Sequence, residues 1–382
     1  MAAMVTRRRL VQIAGFAAIC PKMSGAPAAR VDGLEVISRQ PNYFHGWPTL
    51  ARRRNGELVV AYSGGREGHV CPFGRVEILR SSDDGRTWSW PQVVLDTPID
   101  DRDAGVLETV KGTVLVTTFT SLAYEAPLRA ATDWDAPRLE RWNAVQRATS
   151  PEQRRALIGS WVLRSMDGGL TWSAPQRAPL TNPHGPVNLS DGRLLWAGKS
   201  YPGAGDRIGV CESRDDGQTW SWLGTIPARP GDNPVEYHEL HVVDAGNGRL
   251  IAQIRNHNKA NDRETLQTES ADGGKTWSVP HETGVWGLPS HLLRLRDGRL
   301  LMSYSYRRAP RGNHVRVSED QGKTWSEPVV LSRDGTGDLG YPSTVELANG
   351  SLYTVWYEVI ASNSASATER RAVLRAARWS LG

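Results

Sequence analysis

One phrase, Ser-x-Asp-x-Gly-x-Thr-Trp, is spelled five times: SSDDGRTW from Ser81, SMDGGLTW from Ser165, SRDDGQTW from Ser213, SADGGKTW from Ser270 and SEDQGKTW from Ser318. A spelling that returns every few dozen residues marks a repeat architecture, in which each copy is one supersecondary unit. Alternating apolar stretches such as VEILRS and HVRVS precede the phrase, and a second apolar run follows it. That is strand, turn, strand. In the turn, Ser and Asp side chains can hydrogen-bond the backbone, Gly supplies positive φ, and Trp offers a large apolar face to a neighbouring sheet. The phrase reads as a fastener for a hairpin.

A second pattern lies upstream of each hairpin, two apolar stretches around a Gly turn: GWPTLARRRNGELVVAYSG, DRDAGVLETVKGTVLVTTF, PHGPVNLSDGRLLWAGKS, HELHVVDAGNGRLIAQIRN, LPSHLLRLRDGRLLMSYSY and GYPSTVELANGSLYTVWYE. Two strands from this pattern and two around the Ser-Asp phrase make a four-stranded antiparallel blade. Six such units predict an all-β, six-bladed β-propeller over residues 30–382. The sixth unit lacks the phrase, and LEVIS near residue 34 is expected to supply its outer strand. The first two phrases stand 84 residues apart, against 48 to 57 for the later ones. The excess, residues 121–160, contains SPEQRRALIG, where Ser150, Pro151 and Gln153 spell a capping box, so a helical insertion is expected there.

Residues 1–29 read differently. TRRRLVQIAGFAAIC sets three arginines before a short apolar run, and APAA offers small residues for cleavage, the pattern of an export signal with a twin-arginine character. The run is short of the roughly 20 residues that a bilayer needs. A periplasmic or secreted location is therefore expected. The leader holds Arg7, Arg8, Arg9, Lys22 and no acid, so 42 of the 46 basic residues face all 41 acids in the remainder. Such a balance argues for neither nucleic acid nor a membrane surface as partner. Cys71 and Cys211 lie far apart without metal-type spacing and read as unpaired.

Strand direction sorts the residues. The Gly turns and the Ser-Asp turns share one face, which makes the phrase scaffold, while the innermost strands begin and the second strands end on the other. The innermost strands open with His45, Gly46 and Trp47; Asp101, Arg102 and Asp103; His184; His238, Glu239 and His241; His291; and Tyr341. The second strands end at Arg66, Lys199, Arg255, Arg307 and Glu358. Ionisable groups recurring at equivalent positions around one axis point to a site.

Five such boxes on six blades resemble the sialidase (neuraminidase) superfamily, over roughly residues 33–380. The resemblance implies an exo-acting glycoside hydrolase for a terminal acidic sugar, with Tyr341 as nucleophile, Glu239 as its partner and arginines gripping the substrate carboxylate. HELHVVDAGNGRLIAQIR carries Glu239 and Arg255, GYPSTVEL carries Tyr341, and VWYE carries Glu358. Arg66 matches a family Arg near the site, and Arg311 is expected as a further clamp. Two departures stand out: Gly46 occupies the place of the first family arginine, and EGHVCP replaces the stretch with the acid/base Asp. The proton donor is then sought at Asp101 or Asp103, or at His69 or His184. His45, Trp47, His69, His184 and His238 join Arg66, Arg102, Arg255, Arg311 and Glu358 as candidate substrate contacts. No cofactor or metal is expected, and a monomer is. The alternatives are a uronic-acid-directed glycosidase or lyase on the same fold, or a non-catalytic glycan-binding propeller with Trp47, Trp286 or Trp356 as sugar platforms.

Overall fold

The computed structural model describes residues 25–38, 40, 42–201, 207–333, 335, 337–360 and 371–382. The expected export segment lies, up to residue 24, outside the described residues. The described residues open with β1 (Ala29–Val36), β2 (Phe44–Arg52), β3 (Leu58–Arg66), β4 (Arg75–Ser81) and β5 (Gln92–Leu95). Next come β6 (Asp100–Glu108), β7 (Val114–Ser121), helices α1 (Glu125–Arg129), α2 (Ala136–Ala148) and α3 (Pro151–Leu157), β8 (Ser160–Ser165) and β9 (Gln176–Arg177). It continues through β10 (Leu180–Thr181), β11 (Val187–Asn188), β12 (Leu194–Ser200), β13 (Ile208–Ser213) and β14 (Ser221–Thr225). Two further quartets follow, β15 (Tyr237–Gly246), β16 (Arg249–Asn256), β17 (Glu264–Ser270) and β18 (His281–Trp286), then β19 (Ser290–Arg294), β20 (Leu300–Tyr306), β21 (Gly312–Ser318) and β22 (Val329–Val330). β23 (Leu339–Glu346), β24 (Leu352–Ile360) and β25 (Arg371–Leu381) end the chain.

Three sheets are four-stranded, one joins β10 to β14, and an eight-stranded sheet runs β23-β24-β25-β2-β3-β4-β5 with β1 on β25. Among the described residues these are five hydrogen-bonded sheets where six separate blades were expected. The reason is one parallel pair, Phe44 with Ala372, which joins the first unit to the last. β1 lies antiparallel along β25, from Ala29 opposite Leu381 to Val36 opposite Arg375. The leading strands pack in turn, β2 on β6, β11 on β15, β15 on β19, β19 on β23, and β23 back on β2. Gly105 of β6 closes the remaining step, because a methyl there would stand 2.6 Å from the Gly185 nitrogen ahead of β11. The architecture is an all-β propeller.

The five Ser-Asp turns repeat one bonding scheme. In the first, Ser81 Oγ donates to Asp83 Oδ1 at 2.7 Å and accepts from Gly85 N at 2.8 Å, while Asp83 takes the Thr87 amide at 2.9 Å and hydroxyl at 2.7 Å. The fifth is the same, with Ser318, Asp320, Gly322 and Thr324 at 2.8, 2.8, 2.9 and 2.6 Å. Their glycines sit at positive φ against the preceding unit. A Cβ on Gly85 would meet the Tyr353 ring at 2.6 Å, and one on Gly322 would meet Ile251 Cδ1 at 2.3 Å. The box thus fixes both its own hairpin and the next sheet's approach.

Between β7 and β8, α2 is capped by Asp135 and α3 by the Ser150–Gln153 capping box. The helices dock on the loop after β3: Cys71 packs with Tyr124, Leu128 and Trp142. Glu67 accepts from Trp142 Nε1 and Arg141 Nε, each at 2.9 Å. Cys71 and Cys211 are both free and buried. Among the described residues, no helix is long and apolar enough to cross a membrane.

Candidate active site

Four leading strands share one irregularity. Trp47, Asp103, Glu239 and Tyr341 have φ of 53°, 42°, 44° and 57°. In each case the ladder slips across that residue, between Gly46 and Thr49, Arg102 and Gly105, His238 and His241, and Gly340 and Ser343. A bulge bends its strand and re-aims one side chain, and positive φ in a non-glycine residue costs roughly 1–3 kcal/mol. Paying that at equivalent places in four units turns strand openings into side-chain mounts.

Tyr341, Glu239 and Arg255 come together from three different strands. The Tyr341 hydroxyl donates to Glu239 Oε1 at 2.6 Å, and Arg255 Nη1 reaches Glu239 Oε2 at 2.5 Å and the Tyr341 oxygen at 3.2 Å. Arg255 Nε donates to His257 Nε2 at 2.7 Å, which fixes the guanidinium from behind. Burial pushes the Glu239 carboxyl up, but Arg255, the Tyr341 hydroxyl and Arg307 outweigh it and hold it below its ordinary range. Burial and the Glu239 charge push the phenol well above 10, against Arg255. In the resting state Tyr341 therefore keeps its proton.

Asp103 lies beside this group, buried, with Oδ1 lacking any hydrogen-bond partner. Burial raises its carboxyl to about 7; Arg102, Arg66 and Arg255 pull down, and the Glu239 charge pushes up. A cleft of about 160 Å³ opens between Asp103, Phe119, Lys199, His238 and Glu239. His238 is partly exposed on its wall and meets the His257 ring edge-on at 5.1 Å.

On the other side stands a second polar group. Arg102 lies over the Trp47 ring at 4.6 Å. Tyr357 donates to Asp338 Oδ2 at 2.6 Å, and its ring is 5.9 Å from that of Tyr341. Arg307 Nη1 is 3.5 Å from Asp338 Oδ1. His69 stands edge-on to Trp47 at 5.0 Å, with Nδ1 3.7 Å from Asp338 Oδ2. Beneath, His184, His241 and His291 plug the axis, with ring separations of 5.3, 5.0 and 4.6 Å. Burial pushes His291 down to about 3, and His184 and His241 well below 6.5, so all three are neutral fillers.

Several expected contacts lie elsewhere. Asp101 turns its carboxylate to the Thr97 amide at 2.7 Å and hydroxyl at 2.8 Å, away from Tyr341. Arg66 is wholly buried and spends its N–H groups on Asp100 (2.5 and 3.0 Å), Ser63, and the carbonyls of Gly68, His69 and Asp101. Nothing is left for a ligand. His45 is buried against Tyr62, at 5.4 Å, and both its nitrogens lack partners. Arg311 is exposed and bonds the Gly337 carbonyl at 3.3 Å, whereas Arg307 acts on Glu239. Glu358 pairs with Arg375 at 3.1 Å and lines a larger cavity, about 500 Å³, that contains none of the Tyr341 group. Trp47 and Trp356 are buried, and Trp286 lies under Arg308 at 4.1 Å. Sequence reasoning passed over Tyr357, Asp338 and His257. Tyr357 had a usable signal: it pairs with Gly340, next to Tyr341, while Glu358 pairs with Leu339. Among the described residues, no group of three or more His, Cys, Asp or Glu is placed to hold a metal ion.

Fold and bonding scheme together define a propeller of sialidase type. The chain belongs to the BNR repeat-like domain family, which it matches over residues 144–354. It is 26% identical over 317 residues to a sialidase of Micromonospora viridifaciens, covering 81% of this chain and 40% of that protein. A Clostridium perfringens sialidase is 25% identical over 281 residues, 71% of this chain and 58% of the other. The chain thus spans about two to three fifths of the length of these relatives. Among solved structures, a protein of unknown function from Dyadobacter fermentans DSM 18053 superposes with a TM-score of 0.74 at 22% identity, covering 93% of this chain and all of the other. A Trypanosoma rangeli sialidase, solved with 2,3-difluorosialic acid as a covalent intermediate, has a TM-score of 0.59 at 18% identity, covering 93% of this chain and 60% of its own. At these identities the structures speak for the fold alone.

Proposed function

We propose that this protein is an exported, exo-acting glycoside hydrolase that removes a terminal acidic sugar, sialic acid or a related one, from a glycan. The carrying observation is the Tyr341–Glu239–Arg255 cluster, in which a buried phenol donates at 2.6 Å to a carboxylate pinned by a guanidinium. A neutral tyrosine suits a substrate whose own carboxylate would repel an Asp or Glu nucleophile. As the phenol proton passes to Glu239, Tyr341 Oη attacks the anomeric carbon, and Asp103 gives its proton to the departing glycosidic oxygen. Arg102, Arg255 and Arg307 offer the cationic wall that a substrate carboxylate requires. We count the eight-stranded sheet as two blades of a six-bladed ring, and the helical insertion as the outer wall that steadies the loop after β3. The basic leader supports export.

A terminal uronic acid is the second reading. It is favoured by Gly46 at the place of the first family arginine and by a cleft of about 160 Å³, small beside ordinary ligand pockets. Both readings are tested by incubating the protein with 4-methylumbelliferyl sialoside, aryl uronosides and a panel of acidic glycans. Release of one terminal acidic sugar, lowered roughly 10³-fold or more in Tyr341→Phe, is expected. Binding without release sinks the enzymatic reading, and full turnover by the Phe variant sinks the role of Tyr341 as nucleophile.

A further inference from the structure

We propose that His69, oriented by Asp338, is the general base of the second half-reaction, taking a proton from the water that frees the sugar from Tyr341. The inference rests on the reading of Tyr341 as nucleophile.

The tautomer follows from the neighbours. His69 Nε2 faces Arg102 Nη2 at 3.4 Å. A guanidinium has no acceptor, so Nε2 presents its lone pair and the ring proton sits on Nδ1, on the side of Asp338 Oδ2, 3.7 Å away. Asp338 is itself held by the Tyr357 hydroxyl and Arg307. The His69 backbone is tied down too, its carbonyl accepting from Arg66 Nη2 at 2.7 Å, while Glu67 beside it is anchored on Trp142 of α2. The ring stands edge-on to Trp47 and Phe44, at 5.0 and 6.0 Å. Its side chain is 52% exposed, whereas the axial histidines are sealed off, so His69 can meet water and they cannot. Partial enclosure of the ring, together with Arg102, Arg66 and Arg307, pushes the imidazole down to about 4 against Asp338, so it stands neutral with one edge open to water. A neutral imidazole whose Nε2 lone pair is engaged only by the Arg102 N–H is the starting form of a base.

The link to Tyr341 runs through Tyr357, whose ring flanks Tyr341 and whose hydroxyl holds Asp338. A bound carboxylate competes for Arg102 and frees Nε2. Water oxygen then bonds to the anomeric carbon as the bond to Tyr341 Oη breaks. One water proton goes to His69 Nε2, and the phenolate keeps the electron pair and recovers the proton that Glu239 took earlier. His69 then returns its proton to solvent, and Asp103 takes one back from solvent, which restores the starting protonation states.

The test uses the full chain and the aryl glycoside that it turns over, with stopped-flow release of the aryl alcohol, intact mass and added azide, an anion that needs no base. In His69→Ala, with His69→Gln as a second variant, we expect steady-state turnover roughly 10²-fold lower behind an undiminished burst. We also expect a sugar-sized mass adduct at Tyr341 and recovery as glycosyl azide. Asp338→Asn slows the same step by less. Equal slowing of burst and steady state, with no adduct and no azide rescue in either His69 variant, overturns the role of His69. Full turnover in Tyr341→Phe overturns the nucleophile instead, and the base proposal falls with it.

Discussion

The Ser-Asp turns and the bulged strand openings occupy opposite ends of the same sheets, and each recurs around the ring. The turns recur in sequence as well as in geometry: Ser, Asp, Gly and Thr make the same bonds in the first and the fifth copy, at distances that agree within 0.1 Å. The bulges recur in geometry alone, presenting Trp47, Asp103, Glu239 and Tyr341 at one backbone position. Where a fold needs the same job done many times, the residues repeat. Where the backbone repeats but the side chains diverge, the copies contribute different groups to one shared chemistry.

Three measurements press on that contrast. The largest effect is expected at the bulges: Asp103→Asn removes the proposed acid and lowers kcat/KM by about 10²-fold on substrates with poor leaving groups. The carboxyl, raised to about 7, holds its proton below that pH and loses it above, so wild-type kcat/KM falls as pH rises through about 7. The variant should lack that alkaline limb, and a profile unchanged by the substitution would remove Asp103 from the role. An intermediate effect separates two nearby arginines. Arg307→Gln should raise KM about tenfold, as the loss of one charge-assisted bond to a carboxylate does, and Arg311→Gln should leave it alone. Equal effects would place the carboxylate outside the cluster. The smallest kinetic effect belongs to the turns: Ser318→Ala strips the buried Gly322 amide of its acceptor and costs about 1–3 kcal/mol of stability, read by denaturant unfolding, with kcat unchanged in the folded protein.

How much was legible follows the same division. The propeller could be read because Ser-Asp turns and Gly turns are local, their bonds closing within four residues. Tyr341, Glu239 and Arg255 were named through the resemblance carried by HELHVVDAGNGRLIAQIR and GYPSTVEL, and the structure brings their side chains together. The misplacements arose where parity or a distant partner decides. Asp101 and Asp103 straddle Arg102, and only the bulge after Arg102 determines which carboxylate joins Glu239. Glu358 and Tyr357 are consecutive in β24, so they point to opposite faces, and Tyr357 takes the site side. Arg66 carries a guanidinium to the right place, but Asp100 from the next sheet claims it, which no local pattern announces.

β1 and β25 have a consequence for assembly. The strand that opens the described chain is hydrogen-bonded to the strand that ends it, with Ala29 opposite Leu381. A nascent polypeptide therefore carries β1 without its partner strand until synthesis passes residue 371. A translation product truncated before that point would keep every Ser-Asp turn and yet leave its hoop unclasped.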